Sequence, residues 1–252
     1  MAAQSEPSSH RSLTAVEDFL KTFQPPAGPF DPNATWEHRY AIWVLLPKDR
    51  NLVSKPMGAL QLRRKPAADG GIELVVEQSA IQADRTVCHA KATIHCAADR
   101  LTTPREWELN TAILDRSGQT VAGTAIRRTG KESGGKIVFQ GRAERSVAAP
   151  AHFTSNWSLF DALQRLPAKA AEPLAFDLFE ELELLKPKHT LKYRQSVELE
   201  LGGRKVRLHG YEEIGEGILP CAWWLDDQRR VVMAVGGLRA FLWDPAARAL
   251  PA

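Results

Sequence analysis

Two spacings of apolar residues divide the chain. Near the N-terminus, Leu13, Val16, Leu20 and Phe23 recur at helical spacing, with Phe19 on a neighbouring row. Thr14 and Glu17 read as a capping box, and Pro25-Pro26 stops the helix. Residues 1–12 are polar and without a period, which predicts disorder, and a Pro-rich linker completes the 13–35 segment. From Trp36 onward the spacing falls to two. Trp107, Leu109, Thr111 and Ile113 lie to one side of a strand, Glu106, Glu108 and Asn110 to the other. Runs at 36–46, 58–64, 72–78, 86–97, 105–115, 120–128 and 136–142 are separated by Pro, Gly, Asp or Ser clusters. They predict antiparallel strands that pair in order along the chain.

One hairpin is legible pair by pair. Leu191, Tyr193, Val197, Leu199 and Leu201 share one face, and Lys192, Arg194, Ser196, Glu198 and Glu200 the other. Gly202-Gly203 is a two-residue turn that tolerates positive φ. Folding about it sets Leu199 opposite Val206, Val197 opposite Leu208, Glu200 opposite Lys205 and Glu198 opposite Arg207. Such pairs contribute about 0.2–1 kcal/mol each, and a one-residue slip loses all of them together. Ile218 to Leu225 is apolar on both faces, as a doubly covered strand would be. Asp226-Asp227-Gln228-Arg229 predicts a turn, and Gly236-Gly237 a bulge or sharp bend before Leu238–Trp243.

A long, Gly-kinked antiparallel sheet curls, so the expected fold is mainly β: a barrel or half-barrel with a few short helices. Between the two β regions, Ser158 with Asp161, then Leu159, Leu163 and Leu166, predict a helix ended by Pro167. Residues 174–185 are ambiguous. Leu174, Phe176 and Leu178 alternate, whereas Leu174, Leu178, Leu182 and Leu185 follow helical spacing, and the composition leans helical. The expected organisation is one β-rich domain at 36–245 with a helical insertion near 155–185 and a tail at 246–252. A split near 148–152 into two sheets is the alternative.

Composition changes this picture little. A chain of 252 residues buries a core without disulfide or metal staples. Its 33 basic and 30 acidic residues leave a net charge of +3, well short of a nucleic-acid binder. Three cysteines, an odd number, exclude a disulfide framework. Within one extended strand Cys88 and Cys96 would lie about 26 Å apart, beyond bonding. No apolar run is long enough to span a membrane. The polar N-terminus lacks a signal peptide's apolar core. That leaves two expectations, a cytoplasmic protein or a periplasmic or extracellular one whose leader was replaced by a start codon.

Chemistry is sparse. The sequence holds no phosphate loop, no HExxH, no Gly-x-Ser-x-Gly and no paired CxxC. Cys88-His89 and His95-Cys96 have the residue types of metal ligands. A strand, however, puts the histidines roughly 20 Å apart, so neither a metal nor another cofactor is expected. His209 faces Ser196 across the hairpin, which invites hydrolysis, and Asp226-Asp227 invites a carboxylate pair. A surface hydrogen bond and a turn are the plainer readings. The seven tryptophans say more. Consecutive Trp223 and Trp224 point to opposite faces of a regular strand, so one enters the main core. The other packs beneath a helix or lines an apolar groove. Trp43, Trp223, Trp224 and Trp243 are the candidate ligand-binding residues.

Leu208-His209-Gly210-Tyr211, Ile218-Leu219-Pro220, Trp223-Trp224-Leu225-Asp226-Asp227 and Gly236-Gly237-Leu238-Arg239-Ala240-Phe241 form a recognisable set, together with Phe153-Thr154-Ser155-Asn156-Trp157. They resemble a functionally uncharacterised group of proteins from planctomycete-type bacteria, many of them exported. The resemblance implies structural motifs and no catalytic residues. The curled sheet with helices is also similar to half-barrel folds of bacterial envelope proteins that bind lipids or other proteins. The expected function is therefore non-enzymatic: binding of a lipid or other apolar ligand, or of a protein partner, on a curved sheet. A hydrolase and a sheet-edge assembly protein are the alternatives.

Overall fold

A computed structural model describes residues 8–45, 55–141, 144–167 and 172–248. Two helices, α1 (Ser8–Ala15) and α2 (Glu17–Leu20), open it. A meander follows: β1 (Trp36–Val44), β2 (Lys55–Pro66), β3 (Ile72–Ile81), β4 (Val87–Cys96), β5 (Pro104–Leu114), β6 (Ile126–Ser133), β7 (Lys136–Gln140) and β8 (Arg145–Ala148). The short β9 (Phe153–Ser155) leads into the helix α3 (Ser158–Arg165). A second meander completes the chain: β10 (Leu174–Glu180), β11 (Leu184–Leu201), β12 (Arg204–Ile214), β13 (Cys221–Asp226), β14 (Val231–Gly236) and β15 (Arg239–Trp243).

All of these strands belong to one sheet, in the order β8-β7-β6-β5-β4-β3-β2-β1-β15-β14-β13-β12-β11-β10-β9. The two meanders do not separate near 148–152, because the last strand returns to the first and pairs with it, Tyr40 opposite Trp243. Pairing is antiparallel except between β9 and β10. The sheet curls without closing, as expected from the sequence. Register shifts at Ile42/Trp43, Phe176/Leu178, Tyr193/Gln195 and Trp224/Leu225 bend it further, since an extra residue on one strand sharpens the local twist.

The curl wraps α3. From the first meander Tyr40, Leu60, Leu74, Ile94 and Trp107 point inward, and from the second Phe176, Phe179, Tyr211 and Trp223 do so, around Leu159, Phe160 and Leu163. The ends of the sheet approach closely enough for Phe179 to meet the Trp107 ring edge-on at 5.3 Å. Side chains bridge the seam. Arg128 pairs with Glu183, and Arg145 donates to the Glu183 carbonyl at 2.6 Å. A helix buried on all sides must satisfy its own polar groups. Asp161 does so against Arg64 at 2.7 Å, Arg165 at 2.8 Å and the Thr102 hydroxyl at 2.7 Å. Outside the curl a second core forms, in which Leu13, Val16, Phe19 and Phe23 cover Leu208, Trp224, Met233 and Leu242.

Several local expectations are corrected. Helix α1 includes residues 8–12, and the Thr14–Glu17 pair straddles a break at Val16. Residues 1–7 lie outside the described residues. The 120–128 strand is displaced to Ile126–Ser133, because two successive turns hold residues 115–124. Leu174–Glu180 is strand rather than helix, and the chain reverses at Glu181 and Leu182, both with positive φ, into the next strand at Leu184. Asp161 does not cap α3; the Ser155 hydroxyl accepts the Ser158 N–H at 2.9 Å instead. The sharp bend expected at Gly236-Gly237 is present as a two-residue reversal at Gly237-Leu238, with Gly236 opposite Arg239.

The β11–β12 hairpin has the predicted register, Leu199 opposite Val206 and Glu198 opposite Arg207. Its apolar residues do not share one face, however. The bulge at Tyr193/Gln195 switches sides, so Leu191 and Tyr193 join the inner core while Val197, Leu199 and Leu201 join the outer one.

Candidate functional site

At one mouth of the curled sheet a cleft of about 350 Å³ opens over the start of α3. Alternation builds its walls. Trp223 on β13, Ala234 on β14 and Phe241 on β15 are inward-facing partners in register, and Leu178 on β10 joins them in the wall. Phe160 of α3 forms the floor. It meets Trp223 edge-on at 4.9 Å and Phe241 at 5.9 Å. Trp157 closes one side, its indole N–H donating to Gln78 Oε1 at 3.2 Å.

Polar groups are few and placed. Glu213 is 3% exposed, yet its carboxylate accepts the Trp223 indole N–H at 3.0 Å and meets His189 Nδ1 at 2.9 Å. Lys186 and Glu180 form an ion pair at 2.7 Å. Glu181 sits at the reversal between β10 and β11, and Leu182 follows it in the left-handed region. Such backbone costs on the order of 1 kcal/mol per residue for a side chain with a Cβ. The Asn156 side chain pins this turn to the start of α3 by accepting the Glu181 N–H at 2.8 Å. Glu181 is open to solvent through the mouth. The surrounding protein and then Glu180 raise its carboxyl above the usual range, against Arg239 and Lys186.

A larger depression, about 590 Å³, lies on the outer face of β4–β7. It is floored by polar outward-facing residues, and its charges pair with one another, Lys131 with Glu106 at 2.8 Å among them. That neutralised surface offers a ligand little, whereas the smaller cleft combines apolar walls with a few convergent polar groups.

The fold has a solved counterpart. It is the crystal structure of a β-barrel-like protein of the domain of unknown function DUF1849 from Brucella abortus. The two align with a TM-score of 0.53 over 84% of this chain and 95% of that one, at 12% identity. No protein-family model and no curated protein matches the sequence. At 12% identity the likeness carries the fold alone.

The structure distributes the four candidate tryptophans over both faces. Trp223 lines the cleft. Trp224 is fully buried beneath α1, its indole N–H donating to the Ser12 hydroxyl at 3.0 Å. Trp43 is on the outer face too, edge-on to Phe19 at 5.9 Å. Trp243 is on the inner face but outside the cleft, 4.7 Å from the His38 ring and 5.9 Å from Tyr40. Period two separates Trp223 from Trp224, and it also turns Trp43 outward after the inward-facing Tyr40 and Ile42. Phe160, Phe241 and Glu181 are not among the site residues that the sequence points to. The patterning of 158–166 predicts the helix that carries Phe160 without saying that the sheet would curl around it.

Ser196, His209 and Asp227 do form a hydrogen-bonded row. Ser196 Oγ is 2.8 Å from His209 Nδ1, and His209 Nε2 is 2.9 Å from Asp227 Oδ1. The row lies on the open face of the hairpin. The Asp227 side chain is 60% exposed, and none of the three residues lines a cavity described here. Asp226 faces away from Asp227, accepting the Arg230 N–H at 2.8 Å and its Nε at 2.7 Å. His89 contacts Glu77 at 3.4 Å, and no cluster of metal-ligating side chains forms among the described residues. No helix there is long and apolar enough to cross a membrane.

Proposed function

We propose that this chain is a non-enzymatic binding domain that takes a small apolar ligand into the cleft walled by Trp223, Phe160 and Phe241. One observation carries this reading: an open cleft of about 350 Å³ whose apolar wall is continuous with the core, with a fixed carboxylate, Glu213, held behind it. That combination is the ordinary make-up of a small-molecule site, in which apolar contact supplies affinity and a few placed polar groups supply orientation. The volume lies near the lower end for such sites, which suits one short chain or a single ring system.

Tryptophan emission tests it. Titration with 1-octanol and its longer homologues is expected to give a saturable change that shrinks in Trp223→Phe. A flat response across the series contradicts the proposal. The protein-partner alternative draws on β8, a terminal strand of the sheet with all four residues exposed. Light scattering that finds a concentration-dependent dimer, abolished by Val147→Pro, favours that alternative.

A further inference from the structure

The charges that face the cleft do not balance. Glu180, Glu181 and Glu213 stand against Lys186 and Arg239. Glu180 and Lys186 neutralise each other, and Glu213 is enclosed by His189 and Trp223. That leaves Glu181, reachable from solvent, and Arg239, which is exposed on β15 and makes no ion pair within 4 Å among the described residues. The surrounding protein, above all, pushes up the pKa values of Cys88 and Cys221, the thiols that feel these carboxylates. The Glu181 carboxyl owes its place to two consecutive left-handed residues and to the Asn156 clamp, a costly way to hold a group that has only a distant counter-charge.

We propose that the ligand is a compact organic cation, an ammonium carried on an apolar body, with the ammonium at Glu181 and the body against Trp223, Phe160 and Phe241. This rests on the cleft being the binding site proposed above. An incoming carboxylate would meet Glu181 on entry and Glu213 beneath, with exposed Arg239 in its favour and Lys186 already paired to Glu180. An ammonium meets the opposite field. It gives Glu181 a close counter-charge and leaves its apolar body to the wall of Trp223, Phe160 and Phe241.

Calorimetric titration of the full chain at pH 7.5 with octylammonium chloride, 1-octanol and sodium octanoate separates the readings. Octylammonium is expected to bind about tenfold more tightly than octanoate, with octanol between them. Glu181→Gln is expected to remove most of the octylammonium preference and leave octanol unchanged. Arg239→Gln is expected to tighten octylammonium binding. If octanol binds but octanoate matches or exceeds octylammonium, the charge assignment is wrong and the cleft survives. If none of the three binds, the cleft proposal falls and this one with it. If Glu181→Gln does not fold, Arg239→Gln decides alone, and weaker octylammonium binding there overturns the proposal.

Discussion

His38 lies between Trp36, stacked at 4.3 Å, Phe30 at 5.1 Å and Trp243 at 4.7 Å. Burial, and then the Arg230 charge, lower its pKa to about 3 from the ordinary 6.5. Between those values the unfolded chain binds a proton that the folded one refuses, so stability falls as pH drops through that window. The loss from this group between pH 7.5 and 5.5 is about 1.4 kcal/mol. Urea midpoints measured at both pH values are expected to show this slope in the natural chain and to lose that part of it in His38→Phe. An unchanged slope contradicts the assignment. Asp161 is the other residue that holds the interior together. Arg64 and Arg165 converge on it inside the curl, and removing one partner of a buried ion pair strands the rest. Asp161→Ala is expected to cost about 3–5 kcal/mol in denaturant unfolding, whereas Lys131→Met, at an exposed pair, changes stability by less than about 1 kcal/mol.

Among the elements, α1 and α2 act as a cover. Their apolar side chains close the outer core over Trp224 and Trp43, away from the cleft. A chain lacking residues 1–23 is expected to emit at longer wavelength and to bind 8-anilinonaphthalene sulfonate, because those indoles then meet water. Unchanged emission contradicts that placement. Strand β6 illustrates a tight fit of another kind. Gly130 lies flat against the Trp107 ring, and a Cβ there would come within 2.2 Å of it. Gly130→Ala is expected to destabilise by about 1–3 kcal/mol in the same unfolding assay, as overpacking does. These elements also mark the limits of reading the sequence. The β11–β12 register was legible because two-residue turns and cross-strand charge pairs are local. Strand β6 was misplaced because Thr129-Gly130-Lys131 carries no apolar alternation, and only Trp107 on the neighbouring strand explains its glycine. Residues 174–185 looked helical because Leu and Glu favour helices, a preference that burial of Leu174, Phe176 and Leu178 on the inner face overrides.

For the molecule as a whole, one curled sheet has two different insides. The inner face surrounds α3 and leaves a cleft at its mouth; the outer face is sealed by the N-terminal helices. Period-two patterning announced a curled antiparallel sheet and the opposed directions of Trp223 and Trp224. It did not show which of them meets a ligand, because that depends on where two separate helices dock. The tryptophans report this division directly through their indole N–H signals in a nitrogen-15 correlation spectrum. On titration with 1-octanol, the signals of Trp157 and Trp223 are expected to shift together and saturate while those of Trp43 and Trp224 stay in place. Movement of Trp43 and Trp224 with Trp157 and Trp223 unmoved would contradict the account.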